Sequence, residues 1–144
     1  MSHPQIVQPY LYFNGRCAEA MERYQQVLGA VVEFSMTFRE APQPHPPEFL
    51  PADWDDKIMH ASVRIGSSRL MMSDGMCADA QKFDGFAMAA TAPTTADADR
   101  LFAELADGGA VTMPLETTFF SPRFGMLIDR FGVHWMVVVE QQQS

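Results

Sequence analysis

Hydrophobic positions along this chain recur at two periods. Cys17, Met21, Tyr24 and Leu28 are spaced by 4, 3 and 4 residues, which puts them on one face of a helix. Ala98, Leu101, Phe102 and Leu105 form a second such face. Asn14 is the expected N-cap of the first helix and Gly29 its stop. Thr94 or Thr95 caps the second, Asp97 and Asp99 suit its first turn, and Gly108 and Gly109 end it. The remaining apolar runs are short and read as strands. Around the first helix these are PYLYF (9–13), VVEFSMTF (31–38), IMHASVRI (58–65) and RLMMSD (69–74). Around the second they are GFAMAAT (85–91), AVTMPLETTFF (110–120), FGMLID (124–129) and VHWMVVV (133–139). Gly66-Ser67-Ser68 and Arg130-Phe131-Gly132 supply the turns before the last strand of each set.

The two helical regions are also alike in sequence. AEAMERYQQVLGAVVEF, from Ala18, and ADADRLFAELADGGAVTMPL, from Ala96, both begin Ala-acidic-Ala and both reach Gly-Ala-Val. Such self-similarity points to a repeated structural unit. Each half reads βαβββ, and neither buries both faces of its sheet alone. The expected fold is therefore α+β: one domain over 1–144, with modules at about 7–76 and 83–140 that pack together. Residues 40–56 carry five prolines and can be neither a central strand nor a helix interior. They form a loop, either a lid over a pocket or a tolerated surface insertion.

Composition narrows the function. Hydrophobic residues are 47% of 144, enough for a packed core, and the formal net charge is -8. That balance disfavours nucleic acid and anionic membrane surfaces as partners. No apolar run reaches the length of about 18 residues needed to span a bilayer. The N-terminal MSHPQIVQPY lacks a basic region followed by a long apolar one. A cytoplasmic location is expected, with Cys17 and Cys77 as free thiols.

Three stretches are more specific: PYLYFNGRCAEAMERYQQVLGA, HASVRIGSSRLMMSDGM and TTFFSPRFGMLIDRFGVHWMV. With the paired βαβββ modules they resemble the vicinal oxygen chelate superfamily, which includes glyoxalase I, extradiol dioxygenases and bleomycin- and fosfomycin-resistance proteins; the resemblance implies that the two modules form a cupped mixed sheet. The resemblance is closer to its PhnB-like branch, also labelled 3-demethylubiquinone-9 3-methyltransferase-like. The methyltransferase label does not suit the sequence, because no Gly-rich loop joins strand to helix to hold S-adenosylmethionine. In metal-dependent members, the resemblance implies two ligands from each module, usually His, Gln or Glu, around one divalent cation. Carried onto this chain, those positions fall near Pro9, at Met71 or Met72, at Gly85 or Phe86, and at Met136. None is a hard oxygen or imidazole donor, and a thioether is a poor ligand for Zn, Ni, Mn or Mg. No metal or other cofactor is expected, with His60 the fallback ligand.

Strand alternation places His60 with Ser62 and Arg64, opposite Met59, Ala61, Val63 and Ile65. It places His134 with Met136 and Val138, opposite Trp135. The plain alternative for each histidine is a half-buried ring hydrogen-bonded to backbone. Asp74 and Asp129 suit turns in which a carboxylate accepts backbone N–H groups. The chain has 11 Met and 11 Phe, most of them core, the rest available to line a cup. The expected role is binding of a small, partly apolar molecule by His60, Ser62, Met72, Phe86, His134 and Met136, in a homodimer. The alternatives are a metal-dependent lyase, isomerase or dioxygenase with an atypical ligand set that includes His60, and a drug-sequestering resistance protein.

Overall fold

The computed structural model describes residues 7–41, 53–75 and 82–140. Both helices form where the 3.6-residue pattern expects them: α1 spans Cys17–Leu28 and α2 spans Thr95–Ala106. Helix α1 buries Cys17, Ala20, Met21, Tyr24 and Val27. Leu28, expected on that face, is only half-buried, because Ala20 and Val27 turn the stripe toward themselves. The expected cap also differs. Asn14 lies outside the helix in a left-handed conformation (φ 52°), and Arg16 holds the N-cap position without a side-chain cap. Asp74 supplies the cap from 57 residues away: its Oδ1 accepts the Cys17 N–H at 2.7 Å. Gly29 ends α1 in the left-handed region (φ 67°), which costs glycine least. Helix α2 keeps its expected N-cap and buried face, but Asp99 falls past the first turn and pairs with Arg123 at 3.1 Å, and Asp107 takes the C-cap position ahead of Gly108. The Thr94 hydroxyl accepts the Asp97 N–H at 3.1 Å, and Ala98, Leu101, Phe102 and Leu105 are buried.

The described residues also form eight strands: β1 Tyr10–Tyr12, β2 Val31–Thr37, β3 Ile58–Ile65, β4 Ser68–Ser73, β5 Met88–Ala92, β6 Ala110–Glu116, β7 Phe124–Ile128 and β8 His134–Val139. Strand β5 starts later than GFAMAAT suggests, because Gly85 takes a left-handed bend (φ 81°) that ends extended pairing there. Strand β6 stops at Glu116, and Thr118 closes a turn on Ser121, N–H to carbonyl at 2.8 Å. The proposed lid falls mostly on 42–52, outside the described residues.

The chain divides into two compact units, Met1–Gln81 and Lys82–Ser144. The first holds a four-stranded sheet in the order β1-β4-β3-β2, the second one in the order β5-β8-β7-β6. In each, the first strand pairs parallel to the last and the other pairings are antiparallel. The repeat seen in the sequence is thus a repeat of topology. Each helix covers one face of its own sheet. Beneath α1 lie Leu11, Ala61, Val63, Leu70 and Met72; beneath α2 lie Ala92, Leu127, Trp135, Val137 and Val139, all buried. Removing such side chains from water is the main force holding each layer pair, roughly 1.5–3 kcal/mol per large residue. Among the described residues the other face of each sheet carries no helix of its own unit, and its residues alternate with the buried ones. In β8 the alternation is complete, half-buried then buried over six residues.

Candidate functional site

Cross-strand register builds the helix-free face of the first sheet. Phe34 stands opposite Ser62, Ser62 opposite Met71, and Met71 beside Tyr10, a row across all four strands. Residues in register share a face. In the adjacent row Met36 stands opposite His60. The Tyr10 phenol reaches His60, with Oη 3.0 Å from Nδ1. The His60 ring centroid lies 5.6 Å from that of Tyr10 and 6.0 Å from that of Phe34, and Tyr12 lies 5.1 Å from Tyr10. Burial, then the neighbouring Tyr12 phenol, push the Tyr10 pKa up, so its proton stays on. The contact admits two tautomers; in the one where the phenol donates to Nδ1, the His60 Nε2–H is a donor directed away from Tyr10. The hydrogen-bond contact of His60 seen here is to a side chain, not to backbone. Along β3 the same face continues to Arg64. Arg64 lies 3.6 Å from Glu33, which also accepts from Arg69 at 2.7 Å.

The second sheet's helix-free face is methionine-rich. Met113 stands opposite Met126, Met126 opposite Met136, and Met136 beside Ala89. His134 is half-buried next along β8, opposite Ile128. Trp135 points to the other side at 3% exposure, and its Nε1 donates to Asp129 Oδ2 at 2.8 Å. Asp129 Oδ1 also accepts the Phe131 and Val133 N–H groups, as its turn role requires.

Two of the expected groupings are therefore on common faces: His60 with Ser62, and His134 with Met136. Met72 is not on such a face. It is 0% exposed beneath α1, in register with Leu11 and Ala61, and Met71 holds the helix-free position. Period-two alternation decides between adjacent methionines, and the register of β4 sets its phase. Phe86 precedes β5 and is 46% exposed, off the sheet. Tyr10 and Phe34 were not anticipated. The alternation Tyr-Leu-Tyr in PYLYF was the available signal for Tyr10; Phe34 carried none, because a bulge between Val32 and Phe34 shifts its phase.

The ligand positions implied by the resemblance can be tested on these faces. In register with Met71 stands Tyr10, next to Pro9, whose carbonyl accepts the Met71 N–H at 2.9 Å, and in register with Met136 stands Ala89, three residues past Phe86. The first unit offers a phenol and a thioether, the second a methyl and a thioether. Neither pair of donors suits a divalent cation. Among the described residues, no three His, Cys, Asp or Glu side chains are grouped to hold a metal. Asp74 is committed elsewhere, accepting from Gly15 (2.7 Å), Cys17 (2.7 Å) and Ile58 (2.8 Å) backbone N–H groups. Its carboxylate fills the α1 N-terminus, the place where a strand–helix junction otherwise binds a ligand anion.

A repeated βαβββ unit with a helix on one sheet face and a helix-free other face defines the class. The chain belongs to the Glyoxalase/Bleomycin resistance protein/Dioxygenase superfamily, whose family model matches residues 6–137. It is PhnB-like within it. It is 36% identical over 140 residues to Protein YjdN of Escherichia coli (strain K12), covering 94% of this chain and 95% of that one. The crystal structure of protein PA1353 from Pseudomonas aeruginosa is similar at a TM-score of 0.84 and 44% identity, over 96% of this chain and 100% of that one. A Bacillus cereus PhnB protein, described as a putative 3-demethylubiquinone-9 3-methyltransferase, is similar at a TM-score of 0.78 and 25% identity, over 94% of this chain and 99% of that one.

Proposed function

We propose that the protein binds a small, partly apolar molecule on its helix-free sheet faces, without the divalent cation of the superfamily's metal-dependent members. The row Phe34–Ser62–Met71–Tyr10, with His60 beside it, carries this reading. It is an apolar and aromatic surface with few polar groups, the composition that small-molecule sites share. The methionines of the second face add a surface that adapts to varied apolar shapes. A metal-dependent enzyme built on His60 is the weaker reading, since Tyr10 occupies its Nδ1 and one imidazole nitrogen makes no site. Sequestration of a cationic drug draws support from the net charge of -8, but His60, Ser62 and Arg64 present donors on the first face. The same charge argues against nucleic acid as a partner. No helix among the described residues is long and apolar enough to cross a membrane. A cytoplasmic homodimer completes the proposal. The edge strand β6 and its following turn support it, with Val111 50%, Met113 44% and Phe119 93% exposed.

Thermal melts with a panel of neutral apolar molecules and cationic drugs, together with elemental analysis, test this. Apolar ligands at about 100 times their Kd should stabilise by roughly 2.7 kcal/mol. Chelators should leave the melting temperature unchanged. Metal near one per chain after dialysis, or no response to any ligand, would overturn the reading.

A further inference from the structure

We infer that the helix-free face of the first sheet is a carboxylate site for a planar aromatic acid, with His60 Nε2–H and the Ser62 hydroxyl as donors and Phe34 and Tyr10 flanking the ring. The inference rests on the small-molecule reading above and names the ligand class for one of its faces. Three observations meet there. First, Tyr10 holds the imidazole: its phenol lies 3.0 Å from Nδ1, and in the tautomer in which the phenol donates, Nε2 carries the proton and faces away as a donor. Second, alternation along β3 puts His60, Ser62 and Arg64 on one side, a line of three groups each able to donate. The charges at its end do not balance. Among the described residues Arg64 and Arg69 both reach one carboxylate, that of Glu33, at 3.6 and 2.7 Å, so two guanidinium groups meet one carboxylate there. Third, the surroundings are aromatic. Phe34 is 47% and Tyr10 37% exposed, and their rings lie 6.0 and 5.6 Å from that of His60. Planar apolar surface beside charge-assisted donors suits an aryl carboxylate: stacking takes the ring, and the donors take the oxygens.

The test is a titration of histidine-labelled protein with 2-naphthoate and its neutral counterpart, 2-naphthamide, followed by NMR of the imidazole nitrogens. His60→Gln assigns the signal. Naphthoate is expected to bind about tenfold more tightly than the amide and to move the His60 signal rather than that of His134. Tyr10→Phe keeps the ring but frees Nδ1, and Ser62→Ala removes a donor. Each should weaken naphthoate by roughly three- to tenfold and leave naphthamide within about twofold, with melts confirming that both variants fold. Equal binding of acid and amide, equal losses for both in the variants, or movement of His134 alone would each overturn the inference. If neutral apolar molecules bind but naphthoate gains nothing, the carboxylate site fails and the small-molecule reading stands. If no molecule of either kind binds, both fail.

Discussion

Asp74, 1% exposed, joins three stretches of the first unit by accepting backbone N–H groups of Gly15, Cys17 and Ile58. Asp74→Ala leaves three donors without their acceptor, so urea unfolding should report a loss of about 3 kcal/mol or more. Asp74 also acts on its neighbour Cys17. Burial first, then the Asp74 carboxylate, push the Cys17 thiol well above its ordinary value. The folded state therefore keeps a proton that the unfolded state gives up once pH passes about 8.5. Stability from this thiol is complete below that pH and declines above it, by at most about 1.4 kcal/mol per pH unit. Denaturation curves between pH 7 and 10 should show the decline, and Cys17→Ala should flatten it. On the second sheet, Met136 sits between Met126 and Ala89. Met136→Glu places a carboxylate on that methionine face and should cost roughly 1–3 kcal/mol, while Met136→Leu should cost under about 1.5 kcal/mol. Added Zn or Ni should not restore the Met136→Glu variant; a melting temperature that rises with metal would reveal donors that the donor set above does not include.

Elements meet through a few close approaches. Gly109 lies in the link between α2 and β6, where a Cβ would overlap the Ile128 carbonyl oxygen and come within 2.8 Å of the Asp129 carbonyl carbon. Both obstacles are backbone at the end of β7, so neither can rotate away. Gly109→Ala should push β6 from β7 and cost more than about 2 kcal/mol in chemical denaturation. A cost within about 0.5 kcal/mol would show that the β6–β7 pairing tolerates displacement. The run Gly108-Gly109 was legible in the sequence as a helix stop. Its second glycine has a further reason, close strand approach, which no one-dimensional pattern contains.

At the scale of the whole molecule, the proposed homodimer predicts a species of about 32 kDa in light scattering, twice the 16.1 kDa chain. A mass of about 16 kDa across a wide concentration range would exclude it. Exposed edges motivate the expectation: β2 and β6 each pair on one side only within their sheets. Both sheets repeat one topology, so the edges recur at matching places in the two units. The two helix-free faces nonetheless differ in character. The first is aromatic with a line of donors, and the second is a methionine surface, so they offer a ligand different chemistry.

The sequence by itself determined what local periodicity can carry. The helix face of α2 and the phase of β8 follow from spacing within a dozen residues, because 3.6- and 2-residue periods are properties of a single element, and the βαβββ repeat follows from the likeness of the stretches that start at Ala18 and Ala96. The side on which Met136 and Trp135 fall was legible for the same reason. Tertiary structure decided what depends on register between strands far apart in the chain. Tyr10 meets His60 across 50 residues, and Asp74 reaches Cys17 across 57. Two adjacent methionines, Met71 and Met72, were equally good candidates until pairing with Tyr10 and Leu11 set their sides. A one-residue change of register exchanges the two faces of a strand, and only the hydrogen-bonded ladder selects among the registers that a composition permits.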